Sequence, residues 1–268
     1  MTTPVASAET ASLLWGEHPI ALEKDVLRRR IYAPQSYAPV RHTAVVPVVH
    51  SECIMLASWF PLVWRKKRRA MEFVAVRALL NDQRAQPPAA RGLLPLVLHA
   101  YPFVLDPAQP PGPDCPKVLD DVFADAPTDV GASITTIHRK LARGTLSRFR
   151  VLDRFAHESA TTTAISHAIT EHDLLEPWPL KFDIAGHTVE IPDLFVIKPS
   201  AFESGDLSAM LDAHGLPCAE MLSLHRVSLF RAGTLLAMAK ALMQRPQTAD
   251  AAPLQPAVAD TAAAPVQS

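Results

Sequence analysis

The most orderly alternation of apolar and polar positions lies between Leu174 and Leu236. Glu176-Pro177-Trp178-Pro179 stops whatever precedes it, since neither proline continues a helix, and Trp178 supplies a large anchor to bury. Leu180 to Ile184 alternates at period two and reads as a strand, Ala185-Gly186 turns it, and Thr188 to Ile191 returns. After Pro192-Asp193, the apolar run Leu194 to Ile197 reads as a buried strand closed by Pro199 and Ser200. A short helix is expected from about Asp206 to Ala213, with Gly215 as its stop. The last helix begins near Pro217, and positions 218, 222, 225, 229, 232, 236, 239 and 243 form an apolar stripe interrupted only by His225. Such a stripe must be covered, and the helices expected at 48–60 and 132–175 are the available partners. Leu222, Leu229 and Leu236 are its costliest expected truncations, roughly 2–5 kcal/mol each when fully buried.

Upstream, the run V-V-H-S-E-C-I-M-L-A-S-W-F after Pro47 is long enough for about three helical turns, with Val49, Cys53, Leu56 and Phe60 on one side. Pro61 ends it, because its ring removes a donor and biases Phe60 away from helical angles. Leu62 to Trp64 then reads as a strand running into R-K-K-R-R at 65–69, and M-E-F-V-A-V follows, so the cations mark a hairpin tip. Leu93 to Ala100 reads as a short helix closed by Tyr101-Pro102, with a strand at Phe103 to Leu105. The order helix, aromatic-proline, strand therefore occurs twice. A Pro-rich loop at 106–116 follows, then a strand from Lys117 to Phe123 whose Asp120 and Asp121 read as solvated. Ala132 to Leu175 reads as helical, with possible breaks at Gly144 and Ser159-Ala160. The fold class implied is α+β: a single domain over 13–245 with short strands and hairpins, and a long C-terminal amphipathic helix packed on them. Residues 1–12 and the Ala/Pro-rich tail 246–268 read as disordered.

Composition trims the functional possibilities. Hydrophobic residues make up 49% of the chain, enough for a full core, and the net charge of −1 exerts no global pull on nucleic acid or an anionic membrane. The cluster at 65–69 lacks interleaved aromatics for stacking, so no nucleic-acid partner is assigned. Arg28, Arg29 and Arg30 read as a solvated face. The three cysteines, Cys53, Cys115 and Cys218, are odd in number and far apart, which excludes a disulfide framework and a metal knuckle and fits a reduced compartment. With no secretory leader and no apolar run of spanning length, no transmembrane segment is expected and the localisation implied is cytoplasmic.

Candidate chemistry is sparse. No Walker loop, nucleophile elbow, dinucleotide fingerprint or His-Glu-x-x-His pair is present. His167 and His172 lie about 140° apart on a helix and do not converge, while His167 and Glu171 read as a surface pair. No catalytic residue, metal or cofactor is assigned. Glu52, Trp178 and His225 are the candidate binding residues, and their convergence on one cleft would mark a site. His225 alone reads as a hydrogen-bonded core histidine.

Three blocks carry a resemblance to a known family. The first is V-P-V-V-H-S-E-C-I-M-L-A-S-W-F-P-L-V-W, with Glu52 and Phe60-Pro61 at its marked positions. The second is L-L-P-L-V-L-H-A-Y-P-F-V-L, and the third combines E-P-W-P-L, D-L-F-V-I and L-P-C-A-E-M-L-S-L-H-R. In this order, over 45–236, they resemble the SapC family, named for a bacterial surface-layer locus. His99-Ala100 stands where that family has two arginines, Asp193 where it has glycine, and Lys198 where it has aspartate. The resemblance implies an accessory protein, non-catalytic, that binds a protein or peptide partner in cell-surface export or uptake. The alternative it leaves is an enzyme, or the partner of an oxygenase or halogenase, acting on a peptide or small molecule.

Overall fold

The computed structural model describes residues 18–244 apart from 68, 69, 110, 185 and 204. The expectations for 1–12, for the tail from 246 and for Arg68-Arg69 at the hairpin tip lie outside the described residues. The strands in chain order are β1 (Pro19–Ile20), β2 (Arg30–Ile31), β3 (Val45–Pro47), β4 (Leu62–Lys67), β5 (Ala70–Val76) and β6 (Phe103–Leu105). They continue as β7 (Lys117–Asp120), β8 (Ala132–Ser133), β9 (Leu175–Pro177), β10 (Leu180–Ile184), β11 (His187–Ile191) and β12 (Leu194–Ile197). The helices are α1 (Ala38–His42), α2 (Cys53–Leu56), α3 (Leu96–His99), α4 (Arg143–Glu171), α5 (Asp206–Ser228) and α6 (Arg231–Met243).

Mixed helices and small antiparallel sheets make this an α+β fold. The principal sheet has the order β3-β5-β4-β12-β9, and a second sheet has the order β1-β7-β6. Two further pairs, β10 with β11 and β2 with β8, stand apart. Both faces of the principal sheet are buried, which is why β4 is apolar at successive positions rather than at alternate ones. Leu62 and Trp64 pack on one face with Leu56 of α2, Ile165 of α4 and Met221 of α5. Val63 packs on the other face with Leu180, Val189 and Leu235, contributed by the β10–β11 hairpin and α6. A third cluster joins α3, the second sheet and the first half of α4 through Leu98, Phe103, Leu119, Leu152 and Phe155.

Several expectations change in the structure. The run after Pro47 forms only a 3-10 turn at His50–Glu52 and the short α2; Trp59 and Phe60 then hold turns by donating to Leu56 O at 2.9 Å each. Its apolar side is nevertheless right, since Val49, Cys53, Leu56 and Phe60 are all buried. Residues 132–142 are not helical. Here β8 and an isolated bridge between Thr135 and Leu141 close a loop in which Arg139 adopts a φ of 59°. Ile134 is buried as extended chain whose carbonyl accepts Ala142 N–H and the Thr145 hydroxyl, each at 2.9 Å, and Ile137 faces solvent.

Gly215 does break the helix it was expected to stop, with φ 60° and ψ −145° inside α5. The final helix is itself divided after Ser228, where Ala232 N–H reaches only three residues back to Leu229 O. That turn shifts the buried face. Cys218, Leu222 and His225 are buried as the stripe requires, but beyond the break Leu235 and Ala239 are buried while Leu236 is half-exposed. Helix α5 packs on α2 and α4, and α6 on β10.

Contrary to the sequence expectation, Asp120 is not solvated. It is buried, accepting the Tyr101 hydroxyl at 2.7 Å and His18 N–H at 2.8 Å, and it ties β6, β7 and β1 together. Asp121 pairs with Arg29 at the surface, which keeps the reading of the arginine run as an exposed face. Among the described residues no helix is long and apolar enough to cross a membrane.

Candidate functional site

A groove forms where β3 abandons its partner. β3 pairs with β5 only over Val45–Pro47 against Val74–Val76, and the last contact is Val48 N–H to Phe73 O at 3.1 Å. The chain then turns into the His50–Glu52 segment, held by His50 N–H donating to Thr162 Oγ1 at 2.9 Å. Beyond that turn, the Ala70–Phe73 end of β5 faces a half-open groove of about 560 Å³. Phe155, Ser159, Thr162, Thr163 and Ser166 of α4 form one wall, and Pro107 and Pro111 of the Pro-rich loop form another. This volume lies within the usual range for ligand sites, and the lining is mostly apolar with a few hydroxyls.

The hydroxyl stripe also explains why α4 runs unbroken through Ser159-Ala160. Ser159 donates to Ala156 O at 2.8 Å, Thr162 to Glu158 O at 3.1 Å and Ser166 to Thr162 O at 2.8 Å, so each satisfies itself within the helix. The remaining lone pairs of Thr162 and Ser166 serve the segments packed on α4. Ser166 Oγ accepts Trp64 Nε1–H at 3.1 Å, and Thr162 Oγ1 accepts His50 N–H. Thr163 is the exposed member of the stripe. Its signal in the sequence is S-A-T-T-T-A-I-S at 159–166: small hydroxyls at helical spacing where a covered helix face would carry large apolar side chains.

Glu52 lies elsewhere, as a staple between the two helix–proline–strand units. Its carboxylate accepts Val49 N–H at 3.0 Å, closing its own turn, and Leu96 N–H at 2.7 Å at the start of α3. Burial outweighs those two donors and pushes its pKa up to about 7. A carboxylate at a helix start satisfies an orphan donor and faces the positive end of the helix, which makes structural sense of this glutamate.

His225 bridges two strands. Its Nδ1 lies 2.6 Å from Leu62 O and its Nε2 accepts Ile197 N–H at 3.2 Å, which fixes the proton on Nδ1. The β4–β12 register pairs Leu194 with Arg65 and Phe195 with Trp64, so Ile197 and Leu62 fall next in line to exchange direct bonds. Instead the imidazole spans them, and Ser228, one turn on, accepts Leu62 N–H at 2.9 Å. The two side chains of α5 thus replace both bonds of a ladder rung. Burial lowers the His225 pKa to about 4, holding the ring neutral, and Trp64 packs edge-on against it at 4.8 Å between centroids.

Trp178 is half-buried in the cluster on the Val63 face of the principal sheet, with β10 and α6, and its main-chain N–H donates to Leu194 O at 2.8 Å. No hydrogen bond or ring contact links any two of Glu52, Trp178 and His225, and none of them lines the groove. The structure does not bring these three together. Nothing in the sequence marks Arg77. It is buried and donates to Val40 O at 3.0 Å, Thr43 O at 3.3 Å and Gln86 Oε1 at 3.1 Å, with its Nε unpartnered. These acceptors cluster at the C-terminal end of α1, where the helix dipole favours a cation, and burial lowers its pKa to about 10.

Two cations of the basic cluster are engaged along the hairpin: Arg65 pairs with Glu72 at 2.6 Å, and Lys67 lies 4.0 Å from the same carboxylate, while Lys66 is exposed. His167 and Glu171 form the exposed pair their spacing suggested, at 3.1 Å. The three cysteines are free and buried, and burial raises each thiol pKa, that of Cys218 to about 11. Among the described residues no cluster of three His, Cys, Asp or Glu side chains is placed to hold a metal ion.

No curated protein and no solved structure matches the chain. A family model does match, that of SapC, over residues 27–233. This span contains Glu52, both aromatic-proline units, every described groove residue and the His225–Ser228 bridge. On that match, covering most of its length, the chain belongs to the SapC family.

Proposed function

We propose that this chain is an accessory binding protein whose groove beside β5 receives a protein or peptide partner, in the service of cell-surface export or uptake. The observation that carries the binding reading is the groove itself: about 560 Å³, lined by prolines, aromatics and small hydroxyls. Such a lining suits complementary packing and hydrogen bonding to a peptide. The buried ionisable groups Glu52 and His225 support the same reading from the other side, because their hydrogen-bonding atoms serve backbone groups of the scaffold. The link to the cell surface rests on the SapC family's association with surface-layer loci.

The test is site-specific photocross-linking of the full-length protein in its native host, from a photoreactive residue at Thr163. A control position is Ile137, which is 93% exposed and does not line the groove. The expected result is one defined peptide or protein adduct from position 163 and none from 137. Equal labelling from both positions, or no adduct at 163, overturns the proposal.

A further inference from the structure

One edge of the principal sheet is left incomplete inside the groove. Val76 N–H donates to Pro61 O, so residues 76, 74, 72 and 70 of β5 exchange their main-chain bonds with β4. By the same alternation, the main-chain groups of Met71 and Phe73 point the other way, toward the line of β3. Phe73 O is taken by Val48 N–H, after which the chain leaves for α4. The Met71 N–H, the Met71 carbonyl and the Phe73 N–H therefore face the groove, and among the described residues no strand pairs with them.

We infer that the occupant of the groove binds as an added strand: an extended peptide segment that pairs with the Met71–Phe73 edge of β5 along the line β3 vacates. This rests on the reading of the groove as a peptide site and names the mode of recognition. Two N–H groups and a carbonyl at the strand repeat match the main chain of another strand, the basis of recognition by strand addition. The open stretch Ala70–Glu72 corresponds to roughly 10 Å of strand, about three residues of partner, since Val48 still stands opposite Phe73. Of the charged residues in the lining, Glu72 is already paired with Arg65, and Lys67 lies 4.0 Å from the same carboxylate. The remaining wall of hydroxyls, prolines and Phe155 suits a segment with uncharged side chains.

An unpaired edge is a hazard that proteins usually cover or charge. Here it is flanked by the α4 wall and the Pro-rich loop, so only a narrow, extended chain has access.

The probe is a linear octapeptide, blocked at both ends, selected from a random display library on the purified full-length protein. Its amides are then N-methylated one at a time. Strand addition predicts alternation: methylation at every second position weakens binding about tenfold or more, and at the intervening positions by no more than about twofold. Amide exchange at Met71 and Phe73 slows on binding, while Val74, whose N–H faces β4, is unchanged. Met71→Pro removes an outward N–H without touching the β4 ladder, and abolishes binding; the N-methyl scan makes the same test should that variant fail to fold.

A peptide that Thr163→Arg displaces, but with a flat methylation scan and unchanged exchange at Met71 and Phe73, overturns strand addition and leaves the groove reading standing. Failure to select any peptide, or selection of one indifferent to Thr163→Arg, overturns both. Met71 and Phe73 amides already as protected as Val74 in the free protein place a segment of the chain itself on the edge, and overturn the proposal as well.

Discussion

The two helix–aromatic–proline–strand units follow the same local grammar and end in different settings. In one, α2 leads through Phe60-Pro61 into β4, an inner strand of the principal sheet. In the other, α3 leads through Tyr101-Pro102, a cis peptide, into β6 at the edge of the second sheet. Phe60 and Tyr101 are both fully buried, but only Tyr101 brings a hydroxyl, which Asp120 of the adjacent strand accepts. The β4 unit instead has its open strand end closed from outside, by His225 and Ser228 of α5. Glu52 then joins the units, since it belongs to the first and holds the first N–H of α3 in the second. Proline and apolar spacing decide where each strand starts; a buried polar stitch, different in each unit, decides what the strand is tied to.

The comparison can be broken at each stitch. His225→Ala has the largest expected effect, roughly 3–5 kcal/mol by chemical denaturation, because it strands Leu62 O and Ile197 N–H and opens a cavity beside Trp64. A loss under about 1 kcal/mol would mean that β4 and β12 close directly once the ring is gone.

The next effect is on pH dependence. Glu52, raised from 4.5 to about 7, favours the folded state at low pH and loses that contribution as pH rises between those values. His225, lowered from 6.5 to about 4, contributes fully above pH 6.5 and loses its contribution as pH falls toward 4. From 4.5 to 6.5 the two slopes oppose each other. Glu52→Gln removes the first and leaves the second, so its stability should climb with pH across that window by on the order of 2–3 kcal/mol more than the parent protein's. Parallel profiles for the two proteins would show that Glu52 does not titrate there.

Tyr101→Phe should cost about 1–3 kcal/mol by leaving a buried Asp120 oxygen without its donor. Glu72→Gln, at the partly covered Arg65 pair, should cost about 1 kcal/mol or less. A larger penalty for Glu72→Gln than for Tyr101→Phe would reverse the ranking of buried stitch over hairpin pair.

The features legible in the sequence were those set by neighbours along the chain. The Leu180–Ile191 hairpin, the break at Gly215 and the two aromatic-proline units follow from alternation, glycine and proline at fixed positions. The helix expected over 132–142 failed because Ile134, Ile137 and Leu141 fit helical spacing equally well as a loop in which only the first is fully buried. The burial of Asp120 is not legible because it depends on Tyr101 and His18, brought to it by sheet pairing. His225 was legible as a hydrogen-bonded core histidine, whereas its strand-bridging role depends on a register 28 residues away. The groove was the least legible, being made by a strand pairing that stops at Pro47 and by segments more than 50 residues further along. Only the hydroxyl run at 159–166 hinted at it.

The most direct test of the central claim, that the groove binds while the buried stitches hold the fold, compares Thr163→Arg with Ser228→Ala for thermal midpoint and for affinity toward the partner cross-linked at position 163. Thr163→Arg should keep the parent midpoint and lose binding by at least about tenfold. Ser228→Ala should lower the midpoint by several degrees, having left Leu62 N–H unpaired, and keep its affinity at temperatures where it is folded. Full binding by Thr163→Arg, or loss of binding by folded Ser228→Ala, would contradict it.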